Sequence, residues 1–243
     1  QIVVLGAYIY ARYRTEKTQL CISQKVIRNS FSKGGGLALL VFIELYMFGF
    51  CFKLINEFDP RLGIVTSVCQ SILFLFMFVG SALEKTIITI SSRYLLKSEA
   101  NEIRILAFES LRLLGCFAVI VAGILYLYTG VFLSYLVEDL SMRAYVARVM
   151  SYSMIWIWCH VIFEQVKWLF SGFLKAAGDT LILLFFSCFA LIGFLYLPIS
   201  ITIQYYPNHL ESIIFVYFGC YSIFSSFIFA IKFFYFRTVK RYY

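Results

Sequence analysis

Six ionisable side chains stand inside otherwise apolar runs: Glu44 in Phe42-Ile43-Glu44-Leu45-Tyr46, the adjacent Glu84 and Lys85, and His160, Glu164 and Lys167. On a helix, Glu164 and Lys167 share one face, and His160 lies one turn from Glu164 on the same side. Carboxylates beside a histidine or a lysine can take up and release protons or hold a cation. Such groups at membrane depth are costly facing lipid, so they face a bundle interior or a wet cavity and count as functional candidates. For Glu84, Lys85 and Lys167 a structural ion pair competes evenly with chemistry: Glu164 with Lys167, or Glu84 with a base on another helix. Glu44 has no basic residue at i±3 or i±4, where Leu40, Val41, Met47 and Phe48 stand. It is then either protonated at rest or bound to a cation, and both states suit ion coupling. His160 is a proton relay or a satisfied structural histidine. Trp168, like Trp156 and Trp158, is a cavity aromatic or a packing one.

The elements that position these groups follow from composition. Of 243 residues, 62% are hydrophobic and 14% charged, against about 25% charged in a soluble domain. The mean hydropathy is +0.86. Unbroken apolar runs, without alternation over short segments, exclude a β-barrel. The expected fold class is all-α: a polytopic membrane helical bundle. Six spans are drawn at about 35–55, 64–92, 106–128, 147–174, 181–203 and 212–236, each at or above the roughly 20 residues that cross the hydrocarbon. Glu44 then lies about 15 Å inside its span, and Glu164 is similarly near the midplane.

Residues 1–34 are read separately. Gln1 to Ala11 is apolar and its basic residues follow it, which a signal peptide does not show. It reads as the end of a preceding transmembrane helix, followed by a basic cytoplasmic linker. Ser32-Lys33-Gly34-Gly35-Gly36 is expected to be a flexible lead into the first full span.

The formal net charge of +8 is distributed by side. Arg12, Arg14, Lys17, Lys25, Arg28, Lys33, Arg93, Lys97, Arg104, Lys175 and the C-terminal Lys232, Arg237, Lys240 and Arg241 fall on one set of connections. Glu57, Asp59, Glu138, Asp139 and Glu211 mark the opposite set, with Lys53, Arg61, Arg143 and Arg148. The positive-inside rule puts the 93–104 loop, the 175–180 turn and the C-terminus in the cytoplasm. The basic balance anchors the inner face and needs no nucleic acid. The 7 cysteines form no Cys-x-x-Cys pair, so disulfide or fixed-metal chemistry is not expected. There is no P-loop, no Gly-x-Ser-x-Gly and no His-Glu-x-x-His, so an enzyme is not the expected class. A membrane-embedded enzyme would want clustered His, Asp or Ser near one interface, and the chain has 2 histidines, far apart.

The run Ser171-Gly172-Phe173-Leu174-Lys175-Ala176-Ala177-Gly178-Asp179-Thr180 resembles the S-G-x-L-R-G-x-G-D-T signature of the multidrug and toxic compound extrusion (MATE) transporters, with Lys175 and Ala176 in place of the usual Arg-Gly. The order of helices and loops around it resembles that family's C-terminal lobe, helices seven to twelve, in a divergent member. The resemblance implies a structural turn at Gly172, Gly178, Asp179 and Thr180, where Gly178 permits the reversal and Asp179 or Thr180 can cap the next helix. It also implies ion and substrate binding at Glu44 and Glu164, with transient Na⁺ or H⁺ as coupling ion and no other cofactor. Glu84, Lys85, His160, Lys167 and Trp168 are the further candidates for the cavity wall. The implied function is cation-coupled antiport exporting organic cations and drugs by alternating access, in the plasma (inner) membrane. The implied partners are the bilayer, a small cationic substrate and a six-helix N-terminal lobe. The alternative within the superfamily is a lipid-linked oligosaccharide flippase, whose basic cavity Lys85 and Lys167 could supply.

Overall fold

In the computed structural model, residues 24–97 and 100–239 are described, and they form an all-α bundle. The helices are α1 (Gln24–Phe58), α2 (Pro60–Leu96), α3 (Ala100–Leu136), α4 (Leu140–Ala177), α5 (Thr180–Tyr205) and α6 (Leu210–Val239). All six are long and apolar enough to cross a membrane. The chain is a multi-pass integral membrane protein.

The helices run past the expected spans, and the connections shrink accordingly. Between α1 and α2 only Asp59 is left outside a helix; its carboxylate accepts from the Arg61 N–H at 2.9 Å, and Pro60 opens α2. A capping acid followed by proline at the first helical position makes so short a link possible. Asp139 caps α4 in the same way, accepting from the Ser141 N–H at 2.8 Å. The triplet Gly34-Gly35-Gly36, expected to be flexible, lies within the helix, as do residues 24–34 of the expected linker. The expectation for residues 1–23 lies outside the described residues.

The centre of the bundle is α4. It packs most extensively on α6 and α2, then on α3, while α1 bridges α2 and α5. Two apolar clusters fill the interior. One, around Ile55, Leu62, Val146, Met150 and Leu195, lies toward the 59 and 137–139 connections. The other, around Ile87, Leu114, Leu174 and Phe233, lies toward the opposite end. Four of the buried polar groups of α4 fall between them: His160, Glu164, Gln165 and Lys167. Several other hydroxyls are satisfied within their own helices: Thr66, Ser67, Thr86, Thr89 and Ser92 donate to carbonyls one turn back.

The fifth helix is not uniform. Leu191–Tyr196 is π-helical, ending two residues before Pro198. A proline inside a helix removes one N–H and crowds the preceding turn; a widened turn absorbs both effects without breaking the span.

Candidate functional site

A polar stripe runs down α4 at helical spacing: His160, Glu164, Lys167, Ser171 and Lys175, separated by four, three, four and four residues, which keeps them on one face. Around it α1, α2, α5 and α6 line a partly open cavity of about 540 Å³, within the range of small-molecule sites. Glu44, Glu84, Glu164, Lys167 and Lys175 lie in its wall, with Phe48, Phe52 and Trp168 among its aromatic lining.

Its electrostatic centre is Lys167. The ammonium lies 2.7 Å from Glu164 Oε2, 3.7 Å from Glu44 Oε1 and 3.0 Å from the Tyr221 hydroxyl. It also sits over the Tyr221 ring, 5.2 Å from the centroid. Lys167 and Glu164 have side chains only 5% exposed, and Glu44 is 25% exposed. One cation therefore serves two carboxylates of the cavity wall, one almost fully buried and one a quarter exposed. Removing one member of such a buried pair leaves an uncompensated charge.

Glu164 has a further partner on its other side. Ser222 of α6 donates to Glu164 Oε1 at 3.2 Å, and His160 Nδ1 stands 2.5 Å from Ser222 Oγ. The serine proton is directed at the carboxylate, so Nδ1–H is the donor to Ser222 Oγ and Nε2 carries the lone pair. Nε2 makes no hydrogen bond among the described residues.

A second polar group sits nearer the 175–180 turn. Lys175 donates to Glu84 at 2.6 Å and Ser171 donates to the same oxygen at 2.9 Å. The helices come close here: a Cβ on Gly172 would lie 3.1 Å from the Glu84 carbonyl oxygen and 3.3 Å from Ile87. Gly178 ends α4 with φ 86°, its N–H bonded to the Lys175 carbonyl and that of Asp179 to the Leu174 carbonyl, both at 3.0 Å. That is the glycine-terminated helix end in which a left-handed residue satisfies the last carbonyls.

No protein-family model and no curated protein matches the chain. Its site is therefore read from its own geometry.

Glu44 and Glu164 share the cavity wall with Glu84, Lys167 and Trp168. Two expected cavity groups lie elsewhere. Lys85 is exposed on α2 and outside the wall, because successive helical residues diverge by about 100° and Glu84 takes the inward direction. His160 is excluded from the large cavity and borders a separate one of about 20 Å³; Phe52, Gln70 and Leu73 line both. Asp179 starts α5 without a side-chain cap, and its Oδ2 is buried without a partner. The left-handed turn already satisfies the neighbouring backbone, and Thr180 lies against Gly36 of α1. Lys175 as a partner for Glu84, and Ser171, Tyr221 and Ser222 as site groups, were not anticipated. The stripe spacing could have pointed to Ser171 and Lys175; nothing local distinguishes Tyr221 among 18 tyrosines.

Proposed function

We propose that the chain is the ion-coupling lobe of a proton-driven secondary transporter that exports organic cations. The observation that carries the reading is the sharing of one buried lysine by Glu44 and Glu164 at the wall of an aromatic-lined cavity near mid-span. Glu44 is the more exposed carboxylate and so the one a cavity-bound cation would meet, in a wall that also holds Phe48 and Phe52. A proton arriving on either acid frees Lys167 to neutralise the other, so proton and cargo compete for the same negative charge. Exchange follows if the two occupied states favour opposite-facing conformations.

The presence of Lys167 between the carboxylates favours H⁺ over Na⁺ as coupling ion, since its ammonium already takes the position a metal cation would need. The proposed orientation has the 93–104 segment, the 175–180 turn and the C-terminus in the cytoplasm of a plasma or inner membrane. Likeness to MATE exporters rests on the turn sequence 171–180 and on the place of Glu44 and Glu164. The flippase reading is weaker, because Lys167 and Lys175 are each engaged by carboxylates and offer no free cation to a pyrophosphate. Enzymatic chemistry is disfavoured too. Ser222, His160 and Glu164 are near neighbours, but the acid touches the serine and does not orient the histidine.

The test is uptake of a fluorescent organic cation into inverted vesicles carrying the full-length protein, under an imposed proton or sodium gradient. Proton-driven uptake is expected, with Glu44→Gln expressing normally and transporting nothing. Undiminished uptake by Glu44→Gln, or a requirement for sodium alone, refutes the reading.

A further inference from the structure

We propose that the small cavity beside His160 is a water site, and that His160 and Ser222 conduct protons from it to Glu164 without passing Lys167. The purpose rests on the exchanger reading above; the geometry stands independently.

The cavity holds about 20 Å³, enough for one water, which needs roughly 10–15 Å³ and two or more polar partners. Those partners are present. His160 is buried at 7% exposure, borders the cavity and has an unbonded Nε2. Thr66 gives its hydroxyl proton to the Leu62 and Gly63 carbonyls, which leaves its oxygen free to accept. The Gln70 amide also borders the cavity, and no hydrogen bond to it is formed among the described residues. Because Gln70 lines the large cavity as well, it is the polar step between the two spaces.

The hydrogen-bond directions set the polarity of a proton wire toward Glu164. A hydrated proton in the small cavity transfers to the Nε2 lone pair, and the water is left neutral. The imidazolium passes its Nδ1 proton to Ser222 Oγ as Ser222 gives its own proton to Glu164 Oε1. One proton enters, one carboxylate becomes a carboxylic acid, and a ring tautomer remains to be reset. The charged and titratable groups around Glu164 are His160 and Lys167 on α4, Glu44 on α1 and Tyr221 on α6. From α2, Cys69 borders the small cavity and Glu84 is held by Lys175. The α3 pair Glu109–Arg112 is exposed. On the large-cavity side Glu164 is held by Lys167 at 2.7 Å, whose ammonium is committed to the ion pair. The serine–histidine side is the one that can hand on a proton.

The test follows the carboxyl band of Glu164 by time-resolved infrared spectroscopy after a pH jump. It uses the full-length protein in lipid nanodiscs without cargo, with Glu164→Gln identifying the band. Replacing His160 by Gln is expected to slow Glu164 protonation about a hundredfold, the scale of a positioned proton donor, with its equilibrium midpoint unchanged. Gln70→Leu leaves the wire intact but removes the step between the cavities, and slows the same event at least about tenfold. Native rates in both variants overturn the proposal. So does a slowed rate accompanied by a shifted midpoint, which marks a structural histidine. Loss of cation transport with this wire intact defeats the exporter reading and leaves the proton path standing.

Discussion

Replacing Lys167 by Met isolates the energetics of the site. Glu164, at 5% exposure, would keep only Ser222 at 3.2 Å as a hydrogen-bond partner and would lose its counter-charge. A buried charge stripped of its partner costs on the order of 3–5 kcal/mol. At roughly 2–4 °C per kcal/mol for a chain of this size, the thermal midpoint falls by at least about 6 °C. Glu164→Gln costs less, because Lys167 keeps Glu44 at 3.7 Å and the Tyr221 hydroxyl at 3.0 Å. Glu44→Gln costs least, its carboxylate being the most exposed of the three. Combining Lys167→Met with Glu164→Gln removes both buried charges and recovers most of the loss, giving a coupling of about 2 kcal/mol or more. The assay is thermal or denaturant unfolding of native, single and double variants in one detergent. Additivity within about 0.5 kcal/mol refutes the shared-lysine account, as does a Lys167→Met variant no less stable than Glu44→Gln.

Two structural predictions concern the elements that hold the site. Gly172→Val forces branched carbon between α4 and the Glu84 backbone, where even a Cβ would lie at 3.1 Å; overpacking of that kind costs about 1–3 kcal/mol and is read as a lowered unfolding midpoint. Asp139 is held below its ordinary pKa by the Ser141 hydroxyl and then the Ser141 N–H. Its cap therefore contributes in full above the ordinary value of 3.8, and the contribution is lost as pH falls through the lower folded-state value. Asp139→Asn keeps an acceptor at the helix start and flattens that part of the stability–pH curve; an unchanged acid limb counts against the cap as its source.

The six spans were legible because apolar length is a property of the chain alone, and a bilayer tolerates few alternatives to a helix of that length. The acids and bases of the site were legible too, as charges in the wrong solvent. Their partners were only half so. Glu164 and Lys167 are neighbours on one helix, and spacing reveals them. The approach of Lys167 to Glu44 is made across α1 and α4, and a search at i±3 and i±4 around Glu44 sees only Leu40, Val41, Met47 and Phe48. The same limit hid Lys175 as the base for Glu84, and Ser222 as the link to His160. In α5 the sequence displays Pro198 but not its remedy, since a kink and the π-helical turn at 191–196 both answer a missing N–H. Lys85 and Glu84 show the converse: adjacent in sequence, they could not both face inward, and only packing against Lys175 decides between them.

The placement of Lys167 also explains why so buried a charge would be retained when an apolar core would be no less stable. Its ammonium is tethered to the central helix, within reach of a buried acid and a more exposed one in the same cavity wall, and closest to the buried acid in this conformation. While Glu164 is ionised it holds the lysine at 2.7 Å, and Glu44 meets the same ammonium only at 3.7 Å. Neutralising Glu164 removes that hold and leaves Glu44 as the ionised neighbour, so the lysine's charge is redirected onto the site where a cargo cation would bind. In the proposed exchanger, a proton delivered through Ser222 thus acts on the cargo without touching it, through one side chain shared by two acids. The coupling requires both arms of the arrangement. A bundle in which Lys167 served Glu164 alone would be stable and could still take up protons, but protonation would have nothing to say to the cavity.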